Sequence, residues 1–370
     1  MAFKFNTDAP AESAVSPEVE MLNDMQEFTE IKGEIESLMG ELPEMDAIYD
    51  NLTASMQCLQ NAKDKDEAVL ALNIDHSIEG LLGVAEDKIT AQAAIEGLGE
   101  KLKYWWGKFT DWVKKVCRNI TNFFRKLFGF APKYSKEAEE VAKITGEKAE
   151  DVQKALDATK SIARDLADQL GAAFDEKGFN EGFVNGAKVT AEVIKSLDEM
   201  NKGFSSSSVF NDDYLNQIHA KEKNIDDCIA ACNAALDSLE SRRSGATEGL
   251  IQVTVTAAAV QANCKAISKD CSTTIPKWSK EVADNSDKIS KVISETQLAR
   301  MSAKEIEEFY ASGGKVEDPA LFKAAVAAYK AISKGVTKLN SLLSKMLARR
   351  MSAEQKYVDF AEKVTSKAAA

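Results

Sequence analysis

The sequence predicts an all-α fold, an elongated multi-helix bundle with long, partly coiled-coil-like helices. Only six of the 370 residues are proline and 19 are glycine, so few residues interrupt a helix. Apolar residues recur at spacings of three and four in nearly every segment, and the alternation typical of strands is rare. Apolar residues make up 44% of the chain, which is enough for a sizeable core.

The first quarter of the chain is acidic. Residues 1–15 are small and polar, and we expect them to be disordered. Ser16-Pro17 is a helix-start signature, and the apolar spacing that follows predicts an acidic helical segment over residues 16–96, interrupted by a polar break, NAKDKDEA, at 61–68. Residues 1–96 hold 21 acidic residues and five lysines, a net charge of −16. Such a charge block indicates something about partners.

The next segment, residues 97–133, has the opposite character. It contains nine basic and two acidic residues, a net charge of +7, and three of the four tryptophans. The spacing predicts an amphipathic helix that ends at Gly129 and Pro132. One face is aromatic and comprises Trp105, Trp106, Phe109, Trp112, Phe123 and Phe124. The basic residues predicted to bind DNA or another partner are Lys101, Lys103, Lys108, Lys114, Lys115, Arg118, Arg125 and Lys126.

Three interpretations of this helix remain open. Its aromatic face packs into a core and its basic face is solvated, or the helix lies on a membrane surface, or the basic face meets nucleic acid phosphates or an acidic protein segment. The first and third are compatible, because one helix can bury its aromatic face and present its basic face to a partner.

The remainder predicts a helical bundle in two portions, residues 134–200 and 214–370, joined by a Ser-rich loop at 201–213. Within 134–200, a helix is expected from Ser135 to about Leu170. Within 214–370, helices are expected at about 213–241, 247–269, 277–298, 303–311, 319–349 and 352–366. Gly178, Gly182 and Gly186 recur every fourth residue, which indicates either close helix packing or a loose loop.

Residues that carry chemistry are few. The chain has two histidines, His76 and His219, and its six cysteines form no CxxC motif. Cys228 and Cys232 are expected to be core residues. The sequence therefore predicts no catalytic, cofactor or metal site, and a protein that is not an enzyme. It also predicts no signal peptide and no transmembrane span, because the longest uncharged stretch, 249–264, is shorter than the ~20 residues of a spanning helix.

The segment AIEGLGEKLKYWWGKFTDWVKKVCRNITNFFRKLFGF, Ala94–Phe130, resembles virion structural and internal head proteins of large tailed bacteriophages, including the phiKZ-like and T4-like groups. The resemblance implies a non-enzymatic protein, made in the host cytoplasm and located in the capsid interior. It implies other virion proteins and packaged DNA, bound without sequence preference, as partners, and ejection with the DNA as a further role. The oligomeric state is not predicted.

The same resemblance implies processing. In such phages a prohead protease cuts internal proteins after Glu, at sites similar to small- or aliphatic-x-Glu. The preferred match is Glu96-Gly97, followed by Glu79-Gly80 and Glu18-Val19. A cut after Glu96 would remove residues 1–96, with the acidic segment 16–96 as a propeptide. Residues 97–370, with 42 basic and 38 acidic residues, would carry a net charge of +4.

An alternative function belongs to a different class. In it the chain is a membrane-active α-helical protein, either pore-forming or peripheral, that uses the basic aromatic helix at 101–130 to reach lipid.

Overall fold

The computed structural model describes residues 33, 37–41, 43, 91–204, 210–241, 255–302, 304–305 and 319–369. Within these ranges the regular structure is helical and no strand occurs, so the all-α prediction is confirmed. Residues 1–15, the candidate sites at Glu18 and Glu79, and residues 205–209 of the predicted Ser-rich loop lie outside them.

The basic aromatic segment belongs to a helix much longer than predicted. Helix α1 is Ala91–Glu147, 57 residues with Pro132 inside it. The prediction that it ends at Gly129 and Pro132 is wrong. Pro132 is exposed, whereas Tyr134 and Ala138 continue the buried face and pack into a second core cluster. Burial on both sides of the proline offsets the hydrogen bond that its missing N–H removes.

The residues of the predicted helix from Ser135 to Leu170 are instead divided among three helices, the first of which is the end of α1. After α1, helix α2 is Ala149–Asp157 and helix α3 is Lys160–Ala173. A π-helical turn at Glu176–Asn180 leads into helix α4, Glu181–Gly203. Asp175 accepts a hydrogen bond from the backbone N–H of Lys177 and so caps this turn.

The second half of the chain begins with helix α5, Asp212–Ser241. Helices α6, Ala257–Ser272, and α7, Thr274–Ser294, follow. After the single turn α8, Gln297–Arg300, helix α9 is Pro319–Ala369, 51 residues long. The predicted break between residues 349 and 352 is wrong, because Arg350 is buried in the stripe that α9 turns inward. The predicted helix at 303–311 lies mostly outside the described residues.

Helix α9 packs against α1, α4, α5 and α7. Its inward stripe includes Tyr329, Val336 and Leu343, which are fully buried in the main core. The second core cluster joins the end of α1 to α2, α6 and the end of α9.

The glycines of α4 allow close packing. A Cβ at Gly186 would lie 2.8 Å from Leu343 Cδ2 and 3.5 Å from Cys232 Sγ. Of the two interpretations of the glycine repeat, close helix packing is therefore confirmed at Gly186.

Candidate functional site

The aromatic face of α1 belongs to the main core. Trp106, Phe109 and Trp112 are each 3% exposed. Phe109 stacks on Trp112 with ring centroids 6.1 Å apart, and Trp106 lies 6.4 Å from Tyr329 of α9. The remaining members of this face are Phe123 and Phe124, which are buried, and Trp105, which is half-buried.

The basic residues lie on the sides of the same helix that flank the aromatic face. With about 100° between successive residues, they fall into two rows. One row comprises Lys101, Lys108, Lys115 and Lys126. The other comprises Lys103, Lys114, Arg118 and Arg125. From first to last residue the rows extend about 38 Å along the axis, at 1.5 Å per residue. We call this surface the basic face.

The basic face is open to solvent along most of its length. Five of its members are exposed: Lys103, Lys108, Lys115, Arg118 and Arg125. Lys101, Lys114 and Lys126 are half-buried. Two acidic residues, Glu100 and Asp111, share this side, and Asp111 lies 4.0 Å from Lys114 Nζ. Positive charges spaced along one helix face are suited to phosphates or carboxylates.

This arrangement bears on the membrane interpretation. None of the helices within the described residues is long and apolar enough to cross a membrane. A helix that lies on a bilayer directs its aromatic side chains into the lipid, whereas in this fold Trp106, Phe109 and Trp112 face the protein core.

The candidate processing junction lies at the start of α1. Glu96 and Gly97 fall within its first two turns. A protease would act on this bond after local unwinding of the helix. The junction therefore lies between the acidic N-terminal region and the basic face, only a few residues before Lys101.

A buried ionic cluster, which the sequence pattern did not predict, lies where α6, α9 and the π-helical turn meet. Arg350 donates hydrogen bonds to both oxygens of Asp270, at 2.8 and 2.9 Å, and to Glu354 Oε1 at 3.3 Å. Its Nη1 donates to Asn180 Oδ1 at 2.6 Å. The Arg350 side chain is 3% exposed, and the guanidinium lies 5.1 Å from the Trp278 ring.

The charges in this cluster do not balance if both carboxyls ionise. Burial, then the neighbouring Asp270, raises the pKa of Glu354 well above its ordinary value. The protonated form of Glu354 is therefore favoured, which lowers the charge that the cluster holds in the interior. A signal was available in the sequence, because Arg350 and Glu354 continue the inward spacing of Leu343, Met346 and Leu347.

Within the part of the chain that the structure describes, the cysteines lie apart from the histidine and are mostly buried. Burial raises the pKa of Cys117, Cys232 and Cys264 to about 12, which disfavours the thiolate. His219 is exposed beside Glu222. No cluster of three or more His, Cys, Asp or Glu residues able to hold a metal ion occurs among the described residues. His76 lies outside them.

A family model described as phiKZ-like phage internal head proteins matches residues 71–308. This range is more than half of the chain and contains both the Glu96-Gly97 junction and the basic face. Searches among curated proteins and among solved structures gave no match.

Proposed function

This chain belongs to the phiKZ-like phage internal head proteins, and on that premise we propose that it is a non-enzymatic structural protein that contacts packaged DNA through the basic face of α1. In this proposal it lies in the capsid interior beside other virion proteins. It binds DNA without sequence preference and leaves the head together with the DNA.

The single observation that carries the proposal is the division of α1 into a buried aromatic side and an exposed basic side. The core holds the helix rigid, so the side chains of Lys103, Lys108 and Lys115 project from a fixed support. Duplex DNA carries one negative charge per about 1.7 Å of its axis. Each phosphate that a lysine neutralises releases counterions, which favours binding without reading the bases.

We further propose that the acidic N-terminal region regulates this contact. Residues 1–96, at a net charge of −16, compete with DNA for the basic face by acting as a local substitute for phosphates. Processing after Glu96 changes the net charge of the chain from −12 to +4. The unprocessed chain therefore assembles without DNA, and the processed chain tolerates it.

The experiment compares two variants that lose the same charge. Each is measured as residues 97–370 and as the full chain, in which we expect the acidic N-terminal region to weaken DNA binding or abolish it. The first carries Lys103→Gln, Lys108→Gln and Lys115→Gln on the basic face. The control carries Lys188→Gln, Lys195→Gln and Lys202→Gln, three exposed lysines on α4. Binding to a fluorescent random-sequence duplex is measured by anisotropy between 50 and 200 mM salt.

We expect the basic-face variant to bind more weakly and the control to bind like wild type. Loss of three phosphate contacts should reduce the slope of log affinity against log salt by up to about 2.7. Equal effects of the two variants would show a response to net charge alone and contradict the proposal. Binding to neutral liposomes that persists at high salt, with a blue shift of tryptophan emission, would support the membrane-active alternative instead.

A further inference from the structure

A short piece of the acidic N-terminal region lies on the bundle. Residues 37–41, with the sequence SLMGE, are helical. The carbonyl oxygen of Leu38 accepts a hydrogen bond from Trp112 Nε1 of α1 at 2.5 Å, across 74 residues of sequence. Leu38 and Met39 are half-buried against the main core, whereas Ser37 and Glu41 face solvent. We call residues 37–41 the anchor segment.

The anchor segment borders an apolar groove between α1, α5 and α9. Met39 forms one wall of the groove, and Phe123, Ile229 and Leu342 form others. About 300 Å³ of the groove is open beside Met39. Its lining thus resembles the hydrophobic grooves that hold an amphipathic helix by a few apolar side chains.

Charge favours the same occupant. Lys338 and Lys345 of α9 also line the groove. The sequence around the anchor segment is rich in glutamate, with Glu34, Glu36, Glu41 and Glu44 within a few residues of Leu38. The apolar side chains of the anchor segment are therefore complementary to the apolar lining, and the neighbouring glutamates are complementary to Lys338 and Lys345. Opposite charges of this kind orient a peptide on its binding site.

The hydrogen bond adds a fixed register. The indole of Trp112 is buried, and without the anchor segment its Nε1 would lose the Leu38 carbonyl as acceptor. An unpaired buried donor is unfavourable. The Trp112 N–H therefore fixes the register of the segment, because it requires a backbone carbonyl at one position. Apolar contacts alone would not fix that register.

We infer that the surface formed by Trp112 and the edge of this groove is a binding site for the chain's own residues 37–41. This site holds the acidic N-terminal region on the bundle through non-covalent contacts. The inference is independent of where, or whether, the chain is processed. Its consequence is that a cut between the anchor segment and α1 does not by itself release the N-terminal fragment. The charge change that we propose for processing follows only when that fragment dissociates from the bundle.

The test uses the full chain with a recognition sequence for a site-specific protease inserted after Lys63. Four proteins are cut and passed over a sizing column with light scattering: the parent, Leu38→Glu, Met39→Glu, and the control Ser37→Glu. The control adds the same charge to the same segment at an exposed position. Circular dichroism of each uncut protein verifies that the bundle is folded.

We expect the fragment to remain with the bundle in the parent and in Ser37→Glu, and to leave in Leu38→Glu and Met39→Glu. Retention should weaken by about tenfold or more, because an unpaired carboxylate would enter an apolar groove. A synthetic peptide of residues 33–46, added in excess, should displace the fragment from the cut parent protein.

Three results would overturn the inference. Release of the fragment from all four proteins would show that the anchor segment does not hold it. Retention in all four would show that other residues hold it. A particle of twice the single-chain mass that returns to the single-chain mass in Leu38→Glu would place the segment on a second copy.

Discussion

Arg350 of α9 and Asp270 of α6 form a two-point ion pair inside the protein, with Nε 2.8 Å from Oδ2 and Nη2 2.9 Å from Oδ1. Both side chains are less than a tenth exposed. The pair connects two helices of the second half of the chain at the point where the π-helical turn also arrives, through Asn180. Geometry of this kind fixes how the helices align, because each group is unfavourable in the interior without the other.

The first prediction compares Arg350 with its neighbour in sequence. Arg350→Met should lower the free energy of unfolding by about 3–5 kcal/mol, because it leaves a buried carboxylate unpaired. Arg349 instead pairs with Glu240 near the surface, at 2.9 Å, so Arg349→Met should change stability by about 1 kcal/mol or less. Urea unfolding followed by circular dichroism measures both. Equal losses of unfolding free energy in the two variants would mean that the buried pair stabilises the protein no more than the surface pair does.

The second prediction concerns pH. The pKa of Glu354 is raised in the folded chain by burial and by Asp270, so the folded state keeps a proton that the unfolded state releases above about pH 4.5. Stability therefore falls as the pH rises from that value to the raised pKa, by up to about 1.4 kcal/mol per pH unit. Glu354→Gln should remove this slope.

The measurement is urea unfolding at intervals from pH 4 to pH 8. Glu281→Gln makes the same side-chain change at an exposed position on α7 and serves as the control. Its pH profile should run parallel to that of wild type. If Glu354→Gln also runs parallel to wild type, Glu354 is ionised in the folded protein and the assignment of the proton is wrong.

The third prediction tests the contact between α4 and α9. Gly186→Ala places a methyl group 2.8 Å from Leu343 Cδ2 and should destabilise the protein by about 1–3 kcal/mol, as overpacking does. Gly107→Ala on α1 meets nothing within 4 Å and should stabilise by about 0.5–1 kcal/mol, because alanine favours a helix. Thermal unfolding of the two variants should shift in opposite directions.

Local spacing was sufficient to predict the helices and the buried side of α1, because an amphipathic pattern states which residues face inward. Local spacing did not predict where a helix continues because of contacts with residues distant in sequence. Pro132 was expected to end a helix, yet it lies on the solvent side of one whose other side is packed. The predicted break between residues 349 and 352 contains Arg350, and Asp270, which makes burial of this arginine tolerable, is 80 residues away. Which partner the basic face meets remains a prediction, since helix periodicity locates a surface and does not identify what binds it.

The last prediction concerns the processing of the chain. Protein isolated from virions should have a new N-terminus at Gly97, detected by mass spectrometry of its peptides. The Glu96-Gly97 bond lies in the first turns of α1, which also contain Gly99. Glycine in a helix is about 1 kcal/mol less favourable than alanine, so these turns unwind readily for a protease.

Gly99→Ala leaves the residues on both sides of the bond unchanged but strengthens the local helix. It should therefore slow processing, by up to about fivefold for 1 kcal/mol at RT of 0.59 kcal/mol. Gly107→Ala, two turns further along the same helix, should process at the wild-type rate. Intact Met1 in mature particles would contradict processing after Glu96, and equal rates for Gly99→Ala and wild type would show that local unwinding does not limit the cut.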